Sequence, residues 1–557
     1  MKSLIKSQSV FFKIIKNLIQ DFLKKNKKDI AIYAGLLFFG TTLSIVGITK
    51  LSAALYKQVS DQKRNKSFQL FYIIILVSLV ITTVNFFIDK KENELAPKFR
   101  SHVILSLTKT IFEQNDKQLL DILPIKYRRF VSSTSHASYY LFKSIIKTYI
   151  PNVVLLLIMV LFLFKLDKYY FIIFVVAIII CFLIFNLNQK QLVAKASTAE
   201  EHIRSTDNYS FDVLSSLDTV ISRGMHNNEF QQVKENVEST EELLIHFNHF
   251  TDRVNYAINY LVAFIIFMIM ALALDKIGKD NQTVNILAAL TLMQTLRTKL
   301  VGLSSTNVAA INEYSKAKSN TLDQLYSHSE YEKVNTNYKI KDNPTIEFKD
   351  VVFKYEGTTE NILNNFNFTL HFDKINILKG HSGSGKSTTC KLLLKLFKPC
   401  QGDILIDKMS IKNISNEELR KNIIFLNQDL NILNRSIADI ISYGNDSTID
   451  EVRKEFSNVQ KYFPNKTLAS VVGRNGENLS SGQKMLTRVL NTKMSKAKVI
   501  VMDEPTTGMN ETLKQAVLGI IKTLNDTKTV FIITHSKGVV DYFSKSCEIN
   551  LKEIKSK

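Results

Sequence analysis

The chain has 557 residues, 45% of them hydrophobic, and its 72 basic against 51 acidic side chains give a formal charge of +21. This length allows two domains with substantial cores. The lysines are scattered and accompany no nucleic-acid motif, so contact with anionic lipid is favoured and nucleic acid is excluded as a partner. Cys181, Cys390, Cys400 and Cys547 lack metal-ligand spacing, which predicts isolated thiols in a reducing compartment.

Residues 1–29 place apolar side chains among lysines at roughly helical spacing. The apolar positions are Leu4, Phe11, Ile15, Leu18 and Phe22. This pattern predicts an amphipathic helix that lies in the membrane interface. An organelle presequence is the alternative, but such leaders favour Arg and avoid acids, whereas this stretch has no Arg and contains Asp21.

Residues 30–314 are predicted to form a transmembrane domain of six helices, because a crossing needs about 20 apolar residues. Five uncharged segments meet or approach this length: Ile30–Thr49, Ser67–Ile88, Thr148–Phe164, Tyr169–Gln189 and Val254–Leu274. A weaker sixth segment, from Gln282 to about Leu303, contains Arg297 and Lys299. A peripheral helix is the alternative for this sixth segment.

The connections between these segments alternate in length. Lys90–Lys147 and Lys190–Arg253 are long, charged and helix-like, whereas Leu166–Lys168 and Lys276–Asn281 are short turns. An even number of crossings places both ends of the chain on one side of the membrane. The lysine-rich N-terminus agrees with the positive-inside rule, although the basic residues of the first outer loop do not.

A polar stretch, residues 315–343, is interpreted as a linker to a second domain at 344–557. In that domain a strand-like run, Ile375–Leu378, leads into GHSGSGKS and then a helix-like segment, which is the context that the P-loop pattern G-x-x-x-x-G-K-[ST] requires. Backbone N–H groups of such a loop wrap phosphates, Lys386 is placed to neutralise the β- and γ-phosphates, and Ser387 to hold Mg²⁺. The predicted nucleotide contacts here are Gly380, His381, Ser382, Gly383, Ser384, Gly385, Lys386, Ser387 and Thr388.

A second marker is the apolar run Val499–Met502, which ends in Asp503 and Glu504. An aspartate at the end of a buried strand holds Mg²⁺ through water, and Glu504 is placed to orient and deprotonate an attacking water. Each motif alone has an ordinary structural explanation. Both motifs in this order predict a P-loop enzyme that binds ATP and Mg²⁺.

Leu479–Gln483 reads LSSGQ and resembles the LSGGQ signature of ABC ATPases. The layout of the whole chain, membrane helices followed by one cassette, is similar to exporter-type ABC half-transporters such as the B subfamily. The resemblance implies an all-α membrane domain fused to an α/β P-loop ATPase. It also implies that Ser480, Gly482 and Gln483 contact the ATP held by an opposite cassette, so that two cassettes pair head to tail.

The same resemblance assigns three further positions. Tyr355 is similar to the aromatic residue that stacks on adenine, although a plain strand aromatic is the alternative. Gln428, in FLNQD, resembles the glutamine that senses Mg²⁺ and the attacking water. His535, in ITHS, resembles the switch histidine that reaches the γ-phosphate. Short coupling helices are expected near 122–130 and 210–222.

Five positions depart from the family pattern. Ser481 stands where the signature usually has a second glycine, and Met485 with Leu486 replaces the usual Gln-Arg. The D-loop, Thr507–Asn510, has Asn510 at the usual aspartate, and Val471 stands at a position that is usually acidic. The change at Asn510 calls communication between two ATP sites into question. It does not affect the prediction of ATP binding.

These features predict an ATP-driven exporter that works as a homodimer of half-transporters, with a heterodimer as the alternative. An ATP-gated channel or regulatory subunit is the second function class, and it usually lacks the catalytic acid that Glu504 supplies. Arg297 and Lys299, inside an apolar segment, favour a cavity for an anionic or amphipathic solute, with snorkelling to headgroups as the alternative. The cargo stays open between glutathione or iron–sulfur precursors, lipid, peptide and drug. The membrane stays open between the plasma membrane and an organelle inner membrane, with the ATPase facing cytosol or matrix.

Overall fold

The computed structural model describes residues 2–117, 124–166, 168–274, 302–303, 306–318, 338–355, 358–372, 374–380, 384–427, 432–543 and 547–550. The chain divides into two compact units, one of residues 1–112 with 121–328 and one of residues 113–120 with 329–557. The first unit is helical and the second is α/β.

The N-terminal part is a succession of helices: α1 Lys2–Lys25, α2 Lys27–Thr42, α3 Ile48–Ser60, α4 Arg64–Lys117, α5 Pro124–Ser144, α6 Ile150–Leu166, α7 Lys168–Ser215, α8 Leu217–Ser222, α9 His226–Leu274 and α10, residues 306–318. Five-residue π-helical segments, Leu43–Gly47 and Ile145–Tyr149, join α2 to α3 and α5 to α6. Helices α4, α7 and α9 have 54, 48 and 49 residues. At about 1.5 Å per residue they extend over about 70–80 Å, well beyond a hydrocarbon layer of about 30 Å.

Four described helical stretches are long and apolar enough to cross a membrane: Arg64–Asn115, Lys126–Ile158, Lys168–Ser215 and His226–Leu272. They overlap four of the predicted crossings and confirm a helical membrane-type domain. The first predicted crossing, Ile30–Thr49, runs through α2, the π segment and the start of α3. Most of the sixth, Gln282–Leu303, including Arg297 and Lys299, lies outside the described residues, so the count of six stays a prediction.

Helix α1 packs against neighbouring helices of its own unit. Phe22 is 2% exposed, and its ring centroid lies 5.1 Å from that of Phe99 on α4 and 5.5 Å from that of Phe142 on α5. Ile15, also on α1, is buried beside Ala137 of α5. The apolar face that predicts an interfacial helix is therefore covered by protein at these positions.

The C-terminal unit contains two sheets. Its strands are β1 Ile346–Phe353, β2 Leu363–Leu370, β3 Asn376–Lys379, β4 Gln401–Ile406, β5 Met409–Ser410, β6 Ile423–Leu426, β7 Val499–Asp503, β8 Thr529–Ile533 and β9 Cys547–Asn550. The first sheet is antiparallel with order β2-β1-β4-β5, and the second is parallel with order β6-β7-β8-β3-β9. The helices are α11 Lys386–Leu393, α12 Asn416–Asn422, α13 Ile437–Ile441, α14 Ile449–Ser457, α15 Ser481–Met494, α16 Glu511–Leu524 and α17 Lys537–Tyr542.

Strand β7 is buried on both of its faces, as strands of a parallel sheet usually are. All five of its residues are buried. Val499 and Val501 pack with the antiparallel sheet, whereas Ile500 and Met502 pack with α15 and α16. Ligand sites in such sheets lie beyond the carboxyl ends of the strands, and here β8 lies between β7 and β3.

The predicted linker, 315–343, has folded residues at both of its ends, and its residues 319–337 lie outside the described part of the chain. Helix α10 continues to residue 318, with Ala317 fully buried, and Ile340 is 1% exposed within the core of the α/β unit. Composition marks the polar stretch but carries no information about which of its side chains are buried.

Candidate nucleotide-binding site

The last residue of the loop between β3 and α11 has a backbone conformation that requires glycine. Gly385, which precedes α11, has φ +102°, a conformation that side chains rarely adopt. A Cβ at this position would lie 2.9 Å from side-chain carbons of both Ile362 and Leu363, so glycine is required on two grounds. His381, Ser382 and Gly383 lie outside the described residues.

Two side chains of this loop point to a ligand. Lys386 donates its Nζ hydrogen to the Gly380 carbonyl at 2.8 Å, so the ammonium group is held over the loop. Ser384 Oγ is buried, and among the described residues it has no hydrogen-bond partner. An unsatisfied buried hydroxyl beside a lysine at a helix N-terminus fits a bound phosphate oxygen.

Ser387 and Asp503 form the oxygen pair expected of a Mg²⁺ site. Ser387 Oγ donates to Asp503 Oδ2 at 2.7 Å, which joins the first turn of α11 to the end of β7. Asp503 is 6% exposed, and its burial raises the pKa of the carboxyl group, with a smaller raising contribution from Glu504, against the hydrogen bond from Ser387. Hard oxygen ligands of this kind suit Mg²⁺.

One turn after Ser387, Cys390 on α11 is fully buried in the core of the α/β unit. Burial, together with the nearby Asp503 carboxylate, raises the pKa of this thiol well above its ordinary value. Cys400, ten residues later in the same domain, is exposed. Cys390 therefore packs as a neutral apolar group.

Glu504 follows β7 in a left-handed backbone conformation, with φ +50°. It is 8% exposed, and its backbone N–H donates to the Ile533 carbonyl at 2.9 Å. Its Oε2 accepts a hydrogen bond from Thr534 Oγ1 at 3.1 Å. Sequence reasoning did not assign a role to Thr534. Its contact with Glu504 joins residues thirty positions apart, which no local pattern reveals.

His535 lies at the end of β8, directly beside Glu504. Glu504 Oε1 accepts from the His535 backbone N–H at 2.9 Å and lies 2.5 Å from its Nδ1. The histidine side chain is 72% exposed, while the glutamate side chain is 8% exposed. The structure thus brings together three of the predicted site residues from two strands: Asp503, Glu504 and His535.

Tyr355, after β1, contacts α11, the helix that follows the P-loop. Its hydroxyl group lies 3.0 Å from Thr388 Oγ1, within hydrogen-bond distance. Its ring packs edge-on to Phe397, with centroids 5.5 Å apart and planes at 90°. The ring is partly buried and lies beside the P-loop helix.

The LSSGQ segment forms the N-terminal end of α15. Ser480 and Gln483 form a reciprocal capping box: Ser480 Oγ accepts from the Gln483 N–H at 3.2 Å, and Gln483 Oε1 accepts from the Ser480 N–H at 3.0 Å. At Gly482 a Cβ would overlap the side chain of Leu513, so a larger residue does not fit. The replacements Met485 and Leu486 are both buried in the core.

Gln428 lies outside the described residues, but the residue before it is held firmly. Arg488, on α15, donates from Nη1 to the Asn427 carbonyl at 3.2 Å and from Nη2 to Asn427 Oδ1 at 3.1 Å. Burial lowers the pKa of this guanidinium group. Arg488 was not predicted, because its partner is distant in the sequence.

Residues 363–507 match the family described as ABC transporter. A search of solved structures finds a bacterial Atm1-family ABC exporter with ATP bound, at a TM-score of 0.77 over 92% of both chains and 19% identity. The chain carries an ABC transporter domain in the fold of an ABC exporter.

Curated relatives agree with this ABC transporter assignment. The ATP-dependent lipid A-core flippase 2 of Colwellia psychrerythraea is 29% identical over 305 residues, 53% of this chain and 52% of the flippase. The beta-(1→2)glucan export ATP-binding/permease protein of Agrobacterium vitis is 32% identical over 35% of this chain and 34% of its own length. The chain thus spans about half the length of the first relative and about a third of the second. Together with the apolar helices, these matches indicate an integral membrane protein.

Proposed function

We propose that this protein is an ATP-driven exporter in which ATP binding and hydrolysis by two paired cassettes drive alternating access of the membrane domain. The observation that supports this most directly is the cluster at the strand ends. Ser387 and Asp503 supply oxygen ligands for Mg²⁺, and the buried Glu504 lies next in the chain with its carboxylate oriented by Thr534 and His535.

In the proposed mechanism, Lys386 and the backbone of the P-loop bind the β- and γ-phosphates. Ser387 and Asp503 would hold Mg²⁺, which would supply positive charge beside the phosphates. Glu504 orients the attacking water and accepts its proton, and His535, whose side chain is largely exposed, contacts the γ-phosphate. Gln428 senses the metal and the water, and Tyr355 stacks on the adenine.

The test is hydrolysis by two variants of the purified full chain. Lys386→Ala is expected to abolish nucleotide binding. Glu504→Gln is expected to retain ATP binding but to lower the rate of hydrolysis by about 10²-fold or more, since the general base is lost. A Glu504→Gln protein that hydrolyses ATP at the wild-type rate would refute the catalytic assignment.

The partner in this proposal is a second copy of the same chain. Every proposed element of an ATP site is present in one chain, from Gly380–Ser387 to His535, and the exposed Ser480 end of α15 is available to a partner's nucleotide. Two copies therefore form two complete sites. Purification from the native membrane tests this, because a stoichiometric second half-transporter without self-pairing would show a heterodimer instead.

An ATP-gated channel or regulatory subunit is the second function class. A regulatory subunit does not need a catalytic base, whereas here the glutamate is present, buried and hydrogen bonded. Coupled uptake into inverted vesicles discriminates the two classes. An exporter accumulates solute only during ATP hydrolysis, and a channel only equilibrates it.

The proposed cargo is an anionic or amphipathic solute, on the basis of Arg297 and Lys299 in the sixth apolar segment. A lipid-facing charge there would cost about 2.5–3.5 kcal/mol, so such residues usually face a water-filled cavity. Replacement of both by Gln is expected to abolish stimulation of ATPase activity by anionic cargo and to preserve basal hydrolysis. Unchanged stimulation would indicate that both side chains reach the headgroups instead.

A further inference from the structure

The N-terminal end of α15 contacts the D-loop, Thr507–Asn510, through a residue that departs from the usual signature. Ser481 Oγ donates a hydrogen bond to the Gly508 carbonyl at 3.3 Å. Gly508 has φ +72°, a conformation that favours glycine and sets the direction of this carbonyl group. A glycine at position 481 would have no hydroxyl group to make this bond.

A second contact holds the same two segments together. The space over Gly482 is occupied by the Leu513 side chain, and a Cβ at Gly482 would lie 3.5 Å from Met509 Cγ. The first turn of α15 therefore packs directly on the D-loop and on the start of α16. A displacement of one of these elements is opposed by direct contact with the other.

The D-loop is also joined to the catalytic glutamate and to α16. The Thr507 backbone N–H donates to the Glu504 carbonyl at 3.3 Å, which closes a turn immediately after that glutamate. At the other end, Asn510 Oδ1 accepts from the Leu513 N–H at 2.9 Å and caps α16. Asparagine thus preserves the capping contact at the position where the family usually has aspartate.

We infer that Ser481 is a positioning residue that couples the signature segment to Glu504 through the D-loop. The inference rests on the proposed function, in which the Ser480 end of α15 engages the ATP of the partner cassette. When that end moves on engagement, the bond from Ser481 to Gly508 moves the turn that carries Glu504. Each ATP site is thereby aligned for hydrolysis when the other site is occupied.

The test is steady-state ATP hydrolysis by the purified full-length protein in lipid nanodiscs. Ser481→Ala is expected to lower kcat about two- to tenfold, as for loss of one hydrogen bond, and to leave the KM for ATP within about twofold. The effect falls on kcat because the bond acts on the position of Glu504 after nucleotide has bound. Ser481→Thr, which keeps the hydroxyl group, is expected to restore kcat.

Ser457→Ala is the matched control, because Ser457 is an exposed serine of the same domain whose hydroxyl donates to a backbone carbonyl, that of Lys454. It is expected to have the wild-type kcat. An unchanged kcat in Ser481→Ala would overturn the inference. Equal losses of kcat in the alanine and threonine variants would also overturn it. So would a loss of kcat accompanied by a lower melting temperature, because either outcome indicates a merely structural role.

The outcome also separates this inference from the proposed function. If the wild-type protein hydrolyses ATP no faster than the Lys386→Ala variant, the proposed function itself is contradicted. Wild-type hydrolysis that depends on Glu504, together with an indifferent Ser481, would contradict only the coupling role.

Discussion

Glu504 Oε1 and His535 Nδ1 lie 2.5 Å apart, at the ends of two neighbouring strands. The same oxygen accepts the His535 backbone N–H, and the other carboxylate oxygen accepts from Thr534. Thr534 and His535 therefore hold both oxygens of the carboxylate, and Thr507 Oγ1 adds a longer hydrogen bond to Oε2 at 3.5 Å. These hydrogen bonds within the protein fix the orientation of the carboxylate.

We predict that Thr534→Val lowers kcat for ATP hydrolysis about tenfold, with little change in ATP affinity. Valine has the same shape but no hydroxyl group, so the buried Glu504 Oε2 loses its 3.1 Å hydrogen bond and keeps only the longer one from Thr507 Oγ1, at 3.5 Å, at a cost of about 1–3 kcal/mol. Thr523→Val is the control, since Thr523 is an exposed threonine of the same domain. Equal rates in the two variants would show that the hydroxyl of Thr534 has no part in catalysis.

We predict that Asp503→Asn stabilises the nucleotide-free protein at neutral pH and abolishes Mg²⁺-dependent hydrolysis. Burial raises the pKa of Asp503 above 3.8, so the stabilisation from its protonated form is present below pH 3.8 and is lost as the pH rises through the folded-state pKa. Asparagine is uncharged at every pH. A gain of about 1 kcal/mol would raise the melting temperature by about 2–4 °C.

The measurement for Asp503→Asn is thermal unfolding of the full chain without nucleotide, from pH 7.5 downward. The difference in melting temperature between the variant and the wild type is expected to narrow as the pH falls. The exposed Asp526→Asn is the control and is expected to show no such trend. A variant less stable than wild type at pH 7.5 would contradict the burial argument.

We predict that Gly482→Ala destabilises the ATPase domain by about 1–3 kcal/mol, because its Cβ overlaps Leu513 and the core must shift. Gly519→Ala, inside α16 where a Cβ would lie 4.0 Å from the Tyr542 hydroxyl oxygen, is expected to be neutral or stabilising by up to about 1 kcal/mol. Chemical denaturation followed by far-ultraviolet circular dichroism gives both values. Addition of Leu513→Ala to Gly482→Ala is expected to cost less than the sum of the single changes.

We predict that Phe22→Ala lowers the thermal stability of the membrane unit, because the ring is buried between Phe99 and Phe142. Truncation of a buried phenylalanine typically costs about 3–5 kcal/mol. The neighbouring Leu23, which is 39% exposed, provides the control through Leu23→Ala. Similar melting temperatures for the two variants would indicate that α1 is bound by lipid rather than by protein.

The parts of the site that could be predicted are those with short, local patterns. The P-loop, Asp503 with Glu504, and LSSGQ each combine a fixed spacing with a recognisable strand or helix, so their place in the fold follows from the sequence. The contacts of Thr534 and Arg488 could not be predicted, because each joins segments that only tertiary packing brings together. The same holds for the overlap of Gly482 with Leu513.

The membrane half shows a similar division. Apolar runs predict where helices cross, because the bilayer imposes a minimum length of apolar chain. They do not predict that α4 continues to Lys117, since its polar extension has no comparable constraint. Nor does the amphipathic pattern of α1 distinguish between a lipid surface and a protein surface, because both cover an apolar face.

The burial of Cys390 on α11, the helix that follows the P-loop, with Cys400 exposed ten residues later, gives the protein an internal reporter of local unfolding. A thiol reagent added to the native protein reaches Cys400 directly, but reaches Cys390 only when the core around α11 opens. The ratio of the two labelling rates therefore measures the free energy of that opening. A ligand that binds only the unopened form of this region stabilises it by mass action. Bound nucleotide is therefore expected to slow the labelling of Cys390 and to leave the labelling of Cys400 unchanged.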